Sequence, residues 1–359
     1  MSPRHRGIGI GWVLILALAG LAGFGLMIAF IASRSLTGGI THIHGSGRVG
    51  ATELVETTLE DNASDDKVAV IEIQGVISGE AAGGGRASLV DSVRDQLQRI
   101  EDDDAVKAVV LRVDSPGGEV LASDEIYEAL HDFQIDTEVP VVASMGSLAA
   151  SGGYYVSAPC RWIVAHPLSL TGSIGVIFHG YNYRGLMDKV GVRPDVVKSG
   201  KLKDMFSGEL RMEDELPEEK IILKDLVAES FSRFKQVIRE GRGWAAKANQ
   251  TNQVTGGRTL APNWEEFADG RILSGKQALD LGLVDELGSL DTAVSRAMAL
   301  AGIDSANLVT YQSIPHFSDF LRFLGKSGVD RIQVDLGSFN PLAKLPQGRL
   351  YFLSPLHLH

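Results

Sequence analysis

The middle of this sequence predicts an α/β fold, a parallel sheet with helices on its faces, and three observations carry that expectation. Short runs of Val, Ile, Leu and Ala recur between Lys67 and Ala165, each about long enough for one buried strand. Between them lie stretches with apolar residues at helical spacing. Two glycine turns, Asp114-Ser-Pro-Gly-Gly118 and Ser151-Gly-Gly153, each follow the carboxyl end of an expected strand, where α/β sheets bind their ligands.

Taken in order, Val68-Ala-Val-Ile-Glu-Ile73 reads as a first strand and Ser88–Glu101 as the helix after it. Val106–Val113 is a second strand, ending at the Pro-Gly-Gly turn, with a helix over Ser123–Phe133. Val139–Ser144 is a third strand, followed by a helix that carries Ser151, and Trp162–Ala165 is a fourth. Strands of this buried type alternating with helices predict βαβ units. Helices are also expected over Leu216–Arg239, Gly275–Leu281 and Asp291–Ala301. Beyond Asp304 the pattern weakens to one amphipathic stretch, His316–Gly325, and a tail rich in Gly and Pro.

The first residues differ in kind. Ile8 to Ala32 carries no charge; at 1.5 Å per residue a helix of that length spans roughly 37 Å, enough to cross a bilayer core of about 30 Å. The run exceeds a signal-peptide core and its end, Ala29-Phe-Ile-Ala32-Ser33, offers no Ala-x-Ala site, so a retained transmembrane helix is expected, together with a lipid contact. Arg4 and Arg6 before it, against Arg34 after it, favour a cytoplasmic amino terminus. Leu36 to Asp66 reads as a linker with helical potential at Ala51–Glu60.

Composition excludes several functions. A net charge of −11 over 359 residues, with no basic face, argues against a nucleic-acid partner. Cys160 is the only cysteine, so it forms no internal disulfide and reads as a buried structural thiol. His42 and His44 lack further ligands, and no metal or other cofactor is expected.

Ser151 lies in Ser144-Met-Gly-Ser147-Leu-Ala-Ala-Ser151-Gly-Gly-Tyr-Tyr155. A serine hydroxyl attacks well only when a base takes its proton. Backbone N–H groups of Gly117 or Gly118, with that of Gly152, suit an oxyanion because glycine lets a substrate approach. The segment is not the Gly-x-Ser-x-Gly elbow, since Ala149 stands at the first glycine's place. For the base, His131, His166 and His179 are candidates, with Asp114 as an orienting acid. Lys198, Lys201 and Lys203 are the others. A lysine base must fall from about 10.4 toward 7–8, a shift of about 4 kcal/mol that only burial and nearby dipoles supply. Residue pattern alone leaves that choice open.

Five ordered motifs resemble the signal peptide peptidase A family in its short single-domain form. They are Asp114-Ser-Pro-Gly-Gly118, Ala150-Ser-Gly-Gly-Tyr-Tyr155, Leu170-Thr-Gly-Ser-Ile-Gly-Val176, Val197-Lys-Ser-Gly-Lys-Leu-Lys-Asp204 and Gly270 through Asp285. The resemblance implies a Clp-protease/crotonase-like fold and a Ser–Lys dyad peptidase. It makes Ser151 the nucleophile, Lys203 the general base, Ser173 the residue that orients the lysine, and Gly117, Gly118 and Gly152 the oxyanion hole. It also implies remnant signal peptides as substrates and a ring-shaped homo-oligomer. Where relatives often carry Met-Ser-Pro after the lysine, this chain has Met205-Phe-Ser207-Gly208.

On that reading residues 1–7 are cytoplasmic, 8–33 the anchor, 34–66 a linker, 67–303 the peptidase domain outside the cytoplasm, and 304–359 a C-terminal extension. The competing readings are a stomatin-linked membrane Ser–Lys protease, an acyl-CoA enzyme of the crotonase type and an inert membrane scaffold. The first usually carries several membrane spans after the protease, and nothing beyond residue 33 is long enough.

Overall fold

The computed structural model describes residues 54–80, 87–211, 216–313 and 350–354. Three apolar strands start the sheet: β2 (Lys67–Gln74), β3 (Val106–Ser115) and β5 (Val141–Ala149). They lie side by side and parallel, with Ile71 opposite Leu111 and Leu111 opposite Ala143. β6 (Trp162–Ala165) continues the sheet beside β5, and β10 (Glu286–Leu287) closes that side.

Alternation along the strands decides the layers. Ala69, Ile71 and Ile73 of β2, with Val109, Leu111 and Val113 of β3, face α1 (Leu89–Glu101) and α2 (Val120–Thr137). Val68, Val70, Ala108, Val110 and Val142 face the other way, onto α7 (Leu290–Ala301). Each such buried aliphatic side chain contributes about 1.5–3 kcal/mol. Helix ends are fixed locally. Ser88 Oγ accepts the Asp91 N–H at the start of α1, and Ser274 and Gln277 form a reciprocal capping box at α6 (Gly275–Asp280). The 35-residue α5 (Pro217–Thr251) starts with proline in its first turn.

The sheet is wider than the sequence suggests. β1 (Leu54–Glu60) falls where a helical linker is expected, and pairs antiparallel with β11 (Asn307–Ser313), which runs parallel to β2. β11 lies in the expected C-terminal extension. Both corrections have one cause. Val55, Thr57 and Thr58 disfavour a helix, and Leu308 and Val309 are buried beside Val68 and Ala69 of β2.

A small second sheet sits over the carboxyl ends. β4 (Gly117–Glu119) and β8 (Ile177–Phe178) flank β12 (Leu350–Leu353), antiparallel to both. Among the described residues no helix is long and apolar enough to cross a membrane. The expected anchor Ile8–Ala32, its orientation, His42, His44 and the stretch His316–Gly325 lie outside the described residues.

Candidate active site

β5 ends at Ala149, and the chain turns at once so that Gly152 can start α3 (Gly152–Ser157). The turn falls on Ser151, at φ 55° and ψ −116°, a combination that residues with a Cβ rarely adopt. Neighbours hold it there. Ser151 N–H donates to the Gly172 carbonyl at 2.8 Å, and Ala150 N–H to the Ser115 carbonyl at 3.1 Å. Ser151 is 0% exposed, and among the described residues its hydroxyl has no hydrogen-bond partner. Buried hydroxyls are ordinarily satisfied, so this one marks a functional candidate.

Glycine backbones crowd against it. A Cβ on Gly152 would lie 3.0 Å from both Gly117 Cα and Gly118 N, and one on Gly118 would lie 1.9 Å from the Ile77 carbonyl oxygen. The two turns that sequence placed at one edge of the sheet therefore meet. Gly117 differs from the expectation. It sits at φ 99°, and its N–H donates to Ser115 Oγ at 3.0 Å, while that hydroxyl donates to the Gly75 carbonyl at 2.6 Å. Gly117 thus shapes the turn, and Gly118 and Gly152 remain as candidate oxyanion donors.

Strand β12 lies directly on these donors. Ser354 N–H donates to the Pro116 carbonyl at 2.7 Å, and Phe352 stands opposite Gly118. Antiparallel alternation then pairs the Gly118 N–H with the Phe352 carbonyl. The space a Gly117 Cβ would fill is bounded by that carbonyl oxygen at 2.0 Å and Gly152 N at 2.6 Å. The Phe352 ring packs on Tyr155 and Phe234, with centroids 4.8 and 4.6 Å away. Tyr155 is itself fixed, its hydroxyl donating to Asp124 at 2.5 Å, and Asp124 is held by Arg233. Burial first, then the Asp124 hydrogen bond, pushes the Tyr155 phenol far above its usual range, so it stays neutral. Ser115, Phe234 and Phe352 went unnoticed in the sequence, because 234 and 352 carry no local motif.

Ser173 is buried beside Gly172, at φ 49°, with its N–H on the Arg271 carbonyl at 2.7 Å. The lysines separate from one another. Lys198 is paired with Asp204 and Lys201 with Glu218. Lys203 is exposed on the turns after Gly200 and does not reach the Ser151 hydroxyl. Among the described residues no histidine is hydrogen-bonded to that hydroxyl either. His131 stacks on Tyr127, His166 accepts the Leu168 N–H, and His179 packs on Tyr181. Asp114 accepts the Leu148 N–H instead of orienting a base. Burial pushes the Cys160 thiol up to about 12, which leaves it an inert protonated group at neutral pH.

Comparison with known proteins places the chain among peptidases. The model for Peptidase family S49 matches residues 134–261 and 248–304, and that for Clp protease matches residues 82–174. A protein of Enterococcus faecium named "Putative signal peptide peptidase SppA" is 33% identical over 84% of this chain and 84% of its own. A protease of Synechocystis sp. is 40% identical over 66% of this chain and 76% of its own. "Protease 4" of Haemophilus influenzae is 30% identical over 82% of this chain and 46% of its own.

Proposed function

The chain belongs to the SppA-type proteins of peptidase family S49 and is a serine endopeptidase, and from that premise we propose that Ser151 is its attacking group. One observation carries the assignment: a fully buried, unpartnered serine hydroxyl on a strained turn beside the Gly118 and Gly152 backbones.

In this mechanism Ser151 Oγ attacks the substrate carbonyl carbon and its proton passes to the Lys203 amine. The carbonyl oxygen gains negative charge and is met by the Gly118 and Gly152 N–H groups, which cost no reorganisation because the turns are already built. The protonated lysine then gives its proton to the leaving amine. Water, deprotonated by the same lysine, hydrolyses the acyl-serine. Ser173 orients the lysine.

A lysine must be neutral to act as the base, which takes a site shielded from water. A second copy of the chain supplies the missing cover in this reading. Exposed apolar side chains recur along the segment that precedes Lys203: Leu186, Val190, Val192, Val196 and Val197, the last 97% exposed. Such a run on one segment is characteristic of an association surface. Lys203 of one subunit would then serve Ser151 of its neighbour within a ring.

The substrates in this reading are remnant signal peptides, which the name of the Enterococcus relative supports. The uncharged Ile8–Ala32 run supports a single-pass anchor in the cytoplasmic membrane, with the peptidase domain on the far side. Treatment with a fluorophosphonate probe tests the nucleophile. Mass spectrometry should find the adduct on Ser151, and Ser151→Ala should lose both adduct and peptide hydrolysis. An adduct on Ser147 or Ser144 would overturn the assignment.

A further inference from the structure

Ser115 occupies a place in β3 that calls for an apolar side chain. Val109, Leu111 and Val113 enter the core at alternate positions, and Ser115 is the next in that series. It is fully buried, so its hydroxyl has to find partners inside the protein. Two glycine turns supply them. The hydroxyl donates to the Gly75 carbonyl at 2.6 Å, and its oxygen accepts the Gly117 N–H at 3.0 Å. Donation to Gly75 makes the oxygen a better acceptor, because bonds in a chain polarise one another. The Gly75 N–H in turn donates to the Asp114 carbonyl at 3.0 Å, so the end of β2 is tied to this turn twice.

The main chain of the same residue holds the other turn. Ala150 N–H donates to the Ser115 carbonyl at 3.1 Å, and Ser115 stands opposite Ala149 in the β3–β5 ladder. The first turn of α3 packs on it as well: a Cβ on Gly153 would lie 2.8 Å from the Ser115 carbonyl oxygen and 3.4 Å from its Cβ. Ser115 therefore touches both the turn that carries Gly118 and the turn that carries Ser151 and Gly152. Gly117, at φ 99°, has no Cβ to fix its peptide. The Ser115 hydroxyl fixes it instead.

We propose that Ser115 is a positioning residue for peptide hydrolysis: its hydroxyl sets the Gly118 turn in register with the Ser151–Gly152 turn, and it acts on the transition state and not on peptide binding. This rests on the reading of Ser151, Gly118 and Gly152 as the active site. An oxyanion donor is effective only when it stands at hydrogen-bond distance from the place where charge develops. Released from Ser115, the Gly117 peptide rotates, and the N–H of the next residue, Gly118, turns with it. A peptide bound in its ground state demands less of that alignment, so its affinity is kept.

The test uses full-length chains. Ser115→Ala should lower kcat about 30- to 100-fold and change KM by less than about twofold, the pattern of an interaction made only in the transition state. Fluorophosphonate labelling of Ser151 should slow by about the same factor, because the phosphoryl oxygen enters the same pair of donors. Tyr154→Phe is the control for lost stability. It removes another buried bond beside the site, from the Tyr154 hydroxyl on α3 to the Leu283 carbonyl at 2.8 Å, and should keep native kcat at a similar loss of melting temperature. A kcat within about threefold of native in Ser115→Ala, with Ser151 still labelled, would overturn the proposal and leave the active-site reading standing. A loss carried by KM, or an equal fall of kcat in Tyr154→Phe, would overturn it too. Should Ser115→Ala fail to fold, Ser115→Cys keeps the shape with a weaker donor and acceptor; its kcat should fall by a smaller factor, and native kcat there contradicts the proposal. A fluorophosphonate adduct at a serine other than Ser151 in the native chain would instead defeat the active-site reading itself.

Discussion

Ser151 carries two costs that a structural residue would have shed. Its φ of 55° strains a side chain with a Cβ by about 1–3 kcal/mol, and its hydroxyl is buried without a partner. Replacement by glycine removes both and by alanine only the second. Ser151→Gly should therefore melt about 2–4 °C above Ser151→Ala, corresponding to about 1 kcal/mol. A thermal unfolding scan of the two inactive variants decides it, and equal or reversed melting temperatures would show the turn to be unstrained. Much of the site was legible at this scale, because Gly117, Gly118, Ser151 and Gly152 announce themselves as small residues at strand ends. The division of labour among the glycines was not, since it depends on Ser115 Oγ taking the Gly117 N–H. Nor was the choice of lysine, which residue pattern leaves open among Lys198, Lys201 and Lys203; in the fold the first two pair with Asp204 and Glu218.

Elements β1, β2 and β11 are tied by charge as well as by their ladders. Lys67 on β2 bonds Glu56 on β1 at 2.9 Å and Asp103 at 3.0 Å, and Asp103 also accepts from Tyr311 on β11. The Glu56 hydrogen bond, outweighing burial, raises Lys67 above its ordinary 10.5. Burial pushes Asp103 upward, but the bonds from Lys67, Ala105 N–H and Tyr311 hold it below its ordinary 3.8. The signs follow. The Asp103 contribution is whole above pH 3.8 and is lost as pH falls through its lower folded value; the Lys67 contribution is whole below pH 10.5 and is lost as pH rises through its higher one. Lys67→Met should cost about 1–3 kcal/mol at pH 7 and flatten the acid limb of a urea-unfolding series below about pH 4. An unchanged acid limb would remove this cluster from the account. The same elements show where the pattern misled. The central strands and α1, α2 and α7 were plain from unbroken aliphatic runs and helical spacing. β1 is a mostly exposed edge strand and β11 a largely buried one beside it, and the strand state of each comes from a partner roughly 250 residues away in the chain.

For the whole molecule, the central claim is that the attacking serine and its base come from different copies of the chain. Within one chain Ser151 is buried and Lys203 is exposed on the turns after Gly200, a few residues beyond a segment on which Leu186, Val190, Val196 and Val197 face solvent. A head-to-tail contact repeated around a ring would cover that apolar run and carry each Lys203 toward a neighbouring Ser151, a heterologous interface that closes on itself. Sequence made the ring an expectation through resemblance alone, because association surfaces have no local pattern to read. The direct measurement mixes full-length Ser151→Ala and Lys203→Ala chains in equal amounts, each inactive alone, unfolds and refolds them together, and assays peptide hydrolysis. The account predicts recovery of about a quarter of native activity, the fraction of interfaces that join an intact serine to an intact lysine. No recovery from assemblies shown by mass spectrometry to contain both chains would contradict it, as would full activity in Lys203→Ala alone.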